Sequence, residues 1–208
     1  MKKALIIVDI QNDFLPGGAL AVNEGDQIIP LVNSIQNQFD LIVATQDWHP
    51  ANHGSFAANH QEKTPGEVID LYGLTQVLWP VHCVQNSPGA EFASDLDMKE
   101  VAKIFHKGTD PNIDSYSGFF DNGRKKKTGL GDFLQSEGVT HVYVVGLATD
   151  YCVKYTALDA ASLGFQTTVI KDACRGVNLQ RNDTEDALSE MAAKGIKIIT
   201  VSSQKSPQ

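Results

Sequence analysis

The sequence is poor in cysteine: it has three in 208 residues, Cys83, Cys152 and Cys174. Three scattered cysteines do not make the disulfide framework of a small secreted domain, so we expect a reducing, cytoplasmic setting. Long apolar runs are missing as well, since none approaches the ~20 residues that span a bilayer. The apolar run near the N-terminus is short and ends at Asp9 without a small-residue cleavage site, which argues against a signal peptide.

Positive charge is scarce. The chain has 17 Lys and Arg against 25 Asp and Glu, for a net charge of -8. Nucleic acid and anionic membrane surfaces are therefore disfavoured as partners, and we expect a small-molecule ligand. The length suits a single domain over residues 1–208. The sequence leaves open whether the protein is a monomer or a homo-oligomer.

Short apolar segments alternate with helical patterns along the chain. The predicted strands are Ala4–Val8, Leu41–Thr45, Val101–Phe105, His141–Val145, Gln166–Ile170 and Ile196–Val201. The predicted helices are Asp26–Gln38, Leu130–Ser136, Val153–Leu163 and Asp183–Lys194. The region from Trp48 to Asp97 lacks periodicity and is interpreted as functional loops. This alternation predicts an α/β fold: a three-layer α/β/α arrangement around a mostly parallel six-stranded sheet with Rossmann-like topology.

Chemically reactive residues follow four of the predicted strands. They are Asp9, Asp47 with His49, Lys107, and Cys152. Ligands of parallel sheets bind beyond the carboxyl ends of the strands, where these residues should meet. The sequence therefore predicts an active site at one edge of the sheet.

Cys152 is predicted to lie in the first turn of a helix, just past a strand. Unpaired N–H groups and the positive end of the helix dipole favour a thiolate there, and could also hold an oxyanion. The alternative is a small cysteine that fills a gap in the core. As no histidine lies near Cys152 in the sequence, Asp9 is the candidate base and Lys107 its candidate partner.

Asp47 and His49 are two residues apart, so in an extended chain their side chains share a face. His82 is a candidate third ligand, and an Asp with two His residues suits zinc, iron or manganese. His53 is a weaker candidate ligand, or a hydrogen-bonding partner of one. The alternative is that Asp47 and His49 only cap a loop.

These residues stand in motifs that resemble the isochorismatase-like cysteine hydrolases, and their nicotinamidase/pyrazinamidase branch in particular. The matching segments are Val8-Asp-Ile-Gln-Asn-Asp-Phe14, Thr45-Gln-Asp-Trp-His-Pro50, His53-Gly-Ser-Phe56, Trp79-Pro-Val-His-Cys-Val-Gln85, Lys107-Gly108, Tyr116-Ser-Gly-Phe119 and Gly146-Leu-Ala-Thr-Asp-Tyr-Cys-Val153. They cover most of the chain in the family's order. The paired Asp-x-His and Trp-Pro-x-His motifs resemble the metal-containing branch.

The resemblance implies a role for each matching residue. The implied catalytic triad is Asp9, Lys107 and Cys152. The implied ligands of one divalent metal, zinc first and iron or manganese next, are Asp47, His49 and His82, with Ser55 and His53 as further candidates. The backbone N–H groups of Ala148 and Cys152 would form an oxyanion hole, with a cis peptide bond between Leu147 and Ala148. The implied aromatic slot for a pyridine ring involves Phe14, Trp79, Tyr116, Leu147 and Tyr151.

The activity implied by the resemblance is hydrolysis of nicotinamide to nicotinate and ammonia through a cysteine thioester, with pyrazinamide as a second substrate, in NAD salvage. A related amide or carbamoyl hydrolase of the same family is the alternative. A non-catalytic metal-binding scaffold and a thiol redox protein are rivals from other classes, although no second cysteine lies in the Cys152 motif. A dinucleotide-binding enzyme is disfavoured, because no Gly-x-Gly-x-x-Gly follows the first strand.

Overall fold

The computed structural model describes residues 1–201. The strands in this part of the chain are β1 (Lys2–Val8), β2 (Leu41–Asp47), β3 (Val68–Leu71), β4 (Leu74–Val77), β5 (Lys103–Lys107), β6 (Val139–Leu147), β7 (Gln166–Arg175) and β8 (Lys197–Ile199). The helices are α1 (Ile29–Ile35), α2 (Leu130–Ser136), α3 (Lys154–Ser162) and α4 (Asp183–Ala193). None of these helices is long and apolar enough to cross a membrane.

Six strands form one sheet in the order β5-β2-β1-β6-β7-β8, and every neighbouring pair is parallel. The chain builds outward from β1 through β2 to β5, and then crosses back to place β6 on the other side of β1. The order therefore reverses between β1 and β6, and ligands of open α/β sheets bind at such a point.

Helices cover both faces of the sheet, as the predicted three-layer fold requires. Side chains alternate along β1, so that Ala4, Ile6 and Val8 pack in a core cluster with residues of α2, α3 and α4. Leu5 and Ile7 point the other way and pack in a second cluster with α1. Burial on both faces explains why β1 is apolar throughout its predicted length.

The predicted helix Asp26–Gln38 is wrong at both ends. Only Ile29–Ile35 is α-helical, and short 3-10 turns precede and follow it at Gly25–Ile28 and Gln36–Gln38. Pro30 has no N–H to donate to the carbonyl of Asp26, so an α-helix cannot extend that far back. The apolar spacing is that of a helix, but it does not distinguish an α-helix from an α-helix with 3-10 ends.

The region from Trp48 to Asp97 contains a hairpin that the sequence pattern did not reveal. The antiparallel strands β3 and β4 are joined by Tyr72 and Gly73, with φ values of 52° and 86°. Two successive positive φ values are typical of the type I′ turn that connects hairpin strands. The strands have only four residues each, too few for a clear alternation of apolar and polar residues.

The third predicted strand of the sheet is displaced by two residues. The sequence predicts Val101–Phe105, whereas β5 runs from Lys103 to Lys107. Its register is set by pairing with β2, in which Asp47 lies beside Lys107. This pairing brings both charged residues to the carboxyl edge of the sheet.

Gly146 allows β1 and β6 to approach closely near that edge. It has a φ of 120°, and a Cβ at this position would clash with the carbonyl oxygen of Val8. Because Val8 precedes Asp9 and Gly146 lies shortly before Cys152, this contact sets the distance between the two segments that carry them.

We expect Gly146→Ala to lower the free energy of unfolding by more than ~3 kcal/mol, because a backbone clash adds to the strain of a positive φ. Gly138→Ala is the matched control, since Gly138 also has a positive φ, but no atom lies within 4 Å of the position that its Cβ would take. That variant should lose only ~1–2 kcal/mol. Chemical denaturation of both variants measures the difference, and equal losses would contradict the close-approach argument.

Candidate active site

Four adjacent strands deliver the polar residues that the sequence predicts at strand ends. In the order of the sheet, β5 ends at Lys107, β2 at Asp47, β1 is followed by Asp9, and β6 is followed by the turn that carries Cys152. All four side chains are buried. The structure therefore brings them together at one point of the carboxyl edge.

The ammonium group of Lys107 lies at the centre of this cluster. Its Nζ is 2.8 Å from Asp9 Oδ2, and it donates hydrogen bonds to Asp47 Oδ1 at 2.6 Å and to the carbonyl oxygen of Ser115 at 3.0 Å. Cys152 Sγ lies 3.4 Å away. Burial alone would lower the pKa of Lys107, but Asp47 and Asp9 raise it well above its usual value. Lys107 is therefore a permanent cation.

Asp9 is fully buried and is positioned to exchange a proton. The hydroxyl of Thr45 donates to Asp9 Oδ1 at 2.7 Å, whereas Oδ2 faces Lys107. Burial raises the pKa of Asp9, Lys107 opposes this shift, and Asp47 adds to it. A raised pKa makes the Asp9 carboxylate a stronger base than an exposed one.

Burial opposes the thiolate that the sequence pattern favours at Cys152. Cys152 does lie at a helix start, in a π-helical turn (Thr149–Val153) that leads into α3. Burial nevertheless raises the pKa of its thiol well above the usual value; Lys107 opposes this shift, and Asp9 and Asp47 add to it. The sequence pattern indicates the helix terminus but not the depth of burial or the second carboxylate. The raised pKa favours the protonated thiol, for which Asp9 is the candidate base.

Asp47, His49 and His82 form a buried group that could hold a metal ion, with ligand atoms all within 4.8 Å of one another. Asp47 Oδ2 lies 3.2 Å from His49 Nε2 and 3.5 Å from His82 Nε2. The other oxygen of Asp47 binds Lys107, so this carboxylate belongs to both clusters.

Backbone carbonyl groups orient both histidine rings of this group. His49 Nδ1 lies 2.9 Å from the carbonyl oxygen of Gly108, and His82 Nδ1 lies 2.7 Å from that of Pro80. A carbonyl oxygen can only accept, so Nδ1 carries a proton in both rings, and Nε2 is the atom that would ligate an ion. Gly108 is needed here because a Cβ would clash with the His49 ring.

His53 and Ser55 lie beside this group and contact each other. His53 Nδ1 is 2.7 Å from Ser55 Oγ and accepts a hydrogen bond from the Ser55 backbone N–H at 3.1 Å. The His53 ring centre lies 4.3 Å from that of His49. Burial, and then His49, lower the pKa of His53 to about 4, so this ring is neutral.

A narrow cavity opens onto Cys152. Its lining consists of Phe14, Leu20, Asp47, Trp79, His82, Asp114, Tyr116, Ala148, Tyr151, Cys152 and Val177. Trp79 and Tyr151 meet edge to face with ring centres 4.9 Å apart. Most of the wall is aromatic or aliphatic, which suits a flat, largely apolar ligand.

Four of the five predicted slot residues line this cavity, and Leu147 does not. Leu147 is buried in the core cluster that contains α1, because residues of β6 alternate between the faces of the sheet. The adjacent Leu147–Ala148 peptide bond is cis, as the resemblance implied, and Ala148 faces the cavity.

Three lining residues, Leu20, Asp114 and Val177, are absent from the sequence-based prediction. Leu20 and Val177 lie in loops without periodicity, and no sequence signal indicated them. Val177 is held in place by Asp150, whose carboxylate accepts hydrogen bonds from the backbone N–H groups of Val177 and Asn178 at 2.9 and 2.7 Å. Asp114 could have been suspected, because it stands two residues before Tyr116.

Comparison with known proteins gives consistent matches over the whole chain. The isochorismatase domain family matches residues 3–203. The nicotinamidase of Escherichia coli K12 is 50% identical over 212 residues, covering 99% of this chain and 98% of that protein. The yeast nicotinamidase bound to the inhibitor nicotinaldehyde has a TM-score of 0.89 at 35% identity, covering 95% of this chain and 99% of that one. The pyrazinamidase of Pyrococcus horikoshii in complex with zinc has a TM-score of 0.78 at 44% identity, covering 96% and 99%.

We expect Lys107→Met to lower the free energy of unfolding by ~3–5 kcal/mol, because it leaves two buried carboxylates without their cation. Lys103→Met is the matched control on the same strand; Lys103 is exposed and stacks on Phe105 and Phe133, so the loss should be ~1 kcal/mol or less. Urea denaturation of chelator-treated proteins measures both. A loss for Lys107→Met no larger than the control would contradict the central role of the ammonium.

Proposed function

The chain belongs to the isochorismatase domain family, and on this basis we propose that it is an amidohydrolase that converts nicotinamide to nicotinate and ammonia. One observation carries the proposal: an aromatic cavity opens onto a buried cysteine, whose sulfur lies beside an ammonium group paired with a carboxylate. The 50% identity to the Escherichia coli nicotinamidase supports the choice of nicotinamide. By the same reasoning pyrazinamide, which has a similar flat ring, is a second substrate, and the reaction serves NAD salvage.

The cavity suits a small aromatic amide. The edge-to-face pair of Trp79 and Tyr151 presents flat surfaces to a ring, and Phe14 and Tyr116 complete the aromatic wall. The Tyr116 hydroxyl accepts a hydrogen bond from Trp79 Nε1 at 3.2 Å, which fixes the two rings relative to each other. A ring held in this slot presents its amide to Cys152, and such positioning is a large part of catalysis.

The first half of the reaction forms a thioester. Asp9 takes the proton of the Cys152 thiol, and the sulfur attacks the amide carbon to give a tetrahedral oxyanion. The backbone N–H groups of Ala148 and Cys152 stabilise the oxyanion. As it collapses, the C–N bond breaks, Asp9 returns the proton to the leaving nitrogen, and ammonia departs.

The second half releases the acid. Asp9 takes a proton from a water molecule that adds to the thioester carbon, and the second oxyanion collapses with cleavage of the C–S bond. Nicotinate leaves, and the sulfur regains its proton from Asp9. Throughout, Lys107 orients Asp9 and opposes the rise in the pKa of the thiol, so that a raised thiol pKa still permits the first proton transfer.

We further propose that Asp47, His49 and His82 hold one divalent ion, with zinc first and iron or manganese as alternatives. The donor set fits, since both imidazole rings are protonated at Nδ1 and direct Nε2 towards the same carboxylate oxygen. The zinc in the Pyrococcus horikoshii relative supports the same choice. Held by these residues, the ion would supply a Lewis acid for the nitrogen of the substrate ring.

A related amide or carbamoyl hydrolase of the same family is the alternative that a substrate panel separates. Ammonia release from nicotinamide, pyrazinamide and an N-carbamoyl compound should be fastest with the two ring amides. A preference for the carbamoyl compound would instead indicate the alternative. A cytoplasmic location is also proposed, and it is supported by three cysteines that are all unpaired.

We expect Cys152→Ala to lower ammonia release from nicotinamide by more than ~10³-fold, because no other nucleophile lies at the cavity floor. Its metal content should equal that of the wild type. Cys174→Ala is the control, since Cys174 is also buried but does not line the cavity. Activity retained by the Cys152 variant would exclude the thioester route.

Asp47→Ala should bind no metal after purification, because it removes the carboxylate shared by both histidines. Elemental analysis measures this, with Asp95→Ala, an exposed carboxylate, as the control. Chelator treatment of the wild type should stop ammonia release, and added zinc should restore it. Full metal content in the Asp47 variant would remove this residue from the proposed site.

A further inference from the structure

One histidine beside the proposed metal group is left with an unused hydrogen-bonding atom. His53 is fully buried, and its Nε2 has no hydrogen-bond partner within residues 1–201. Leaving a buried polar atom unpaired costs roughly 1–3 kcal/mol, so a partner is expected. That partner must come from a molecule that binds beside His53.

The backbone around His53 decides which kind of partner this is. The N–H of Ser55 donates to His53 Nδ1, so Nδ1 has a lone pair and the ring proton lies on Nε2. His49 and His82 have the opposite arrangement, because their Nδ1 atoms face carbonyl oxygens. Two rings therefore offer a lone pair at Nε2, and the third offers an N–H. A nitrogen that carries a proton donates a hydrogen bond and cannot ligate a metal.

Asp114 supplies an acceptor on the other side of the gap. Ring nitrogens of His49 and His53 and a carboxylate oxygen of Asp114 all lie within 4.8 Å of one another. No direct hydrogen bond joins His53 to Asp114 in the part of the chain that the structure describes. Asp114 accepts one hydrogen bond from Gln76 at 3.0 Å and one from the N–H of Ser115 at 2.7 Å, which leaves lone pairs on both oxygens.

The 4.8 Å bound leaves room for one bridging water molecule. Two hydrogen bonds of about 2.8 Å that meet at a tetrahedral angle separate the outer atoms by about 4.6 Å. A second metal ion is disfavoured, because His53 carries its ring proton on Nε2 and His49 is already a candidate ligand of the first ion. His53 and Asp114 therefore offer one donor and one acceptor to a single polar guest.

We propose that His53 and Asp114 are positioning residues that hold one water molecule on the open side of the Asp47–His49–His82 group, where it is a solvent ligand of the ion. His53 donates its Nε2–H to the water, and the water donates to Asp114. This position of the water molecule, called the water seat below, depends on the metal ion of the proposed function. In this proposal His53 is a hydrogen-bond donor to the water molecule. The sequence alone had left open that His53 binds the metal directly.

X-ray absorption at the zinc edge of the wild-type protein, loaded with zinc alone, tests the assignment directly. Scattering by imidazole rings should fit two histidine ligands, with oxygen atoms completing the coordination. A fit that requires three histidines would overturn the water seat but leave the proposed function intact. If the protein bound no zinc, both the metal group and the water seat would be ruled out. The hydrolase activity of the proposed function is tested separately, by ammonia release.

Zinc affinity, measured by competition with a coloured chelator, tests the two residues. His53→Leu should weaken zinc binding by ~10-fold or more, and His53→Gln, whose amide still donates, should recover most of this loss. His60→Gln is the matched control, because His60 bonds only the carbonyl oxygen of Gly54, and its affinity should be unchanged. Asp114→Asn combined with His53→Leu should lose less than the sum of the single variants, because both act on one water. Unchanged affinity in His53→Leu, or strictly additive losses, would overturn the proposal.

Discussion

The buried ion pairs of Lys107 are the interaction on which the rest of the site depends. Asp9 and Asp47 stand at the ends of adjacent strands, and two carboxylates buried this closely would repel each other without a cation. Strand β5 supplies that cation by pairing with β2 so that Lys107 lies beside Asp47. The strand order thus makes it possible to bury acidic groups next to a thiol.

Asp47 joins the two halves of the site. One of its oxygens accepts from Lys107, and the other faces His49 and His82. Because a single carboxylate serves both clusters, the thiol and the metal group are held at a fixed separation by one short strand end. A small ring in the aromatic cavity would then lie close to both, as the proposed hydrolysis of a ring amide needs.

The hydrophobic pattern of the sequence predicted the fold well for segments that are completely buried. The apolar strands and the helix Leu130–Ser136 were found at or near their predicted positions, since burial on both faces of the sheet leaves a clear signal. The missed or misplaced features include the 3-10 ends of α1, the β3–β4 hairpin, the position of β5 and the extension of β7 to Arg175. Each depends on a single backbone bond or on pairing with a distant strand, and neither leaves a periodic trace in the sequence.

The sequence by itself determined that Asp9, Asp47 and Lys107 stand at or just past the carboxyl ends of three strands, because an apolar run precedes each of them. Only the tertiary structure decided their chemical states. Burial, with Asp9 and Asp47 nearby, raises the pKa of the Cys152 thiol, against the preference of its helix terminus. Whether a histidine offers a lone pair or a proton likewise depends on the backbone group that its ring meets, which chain folding alone selects.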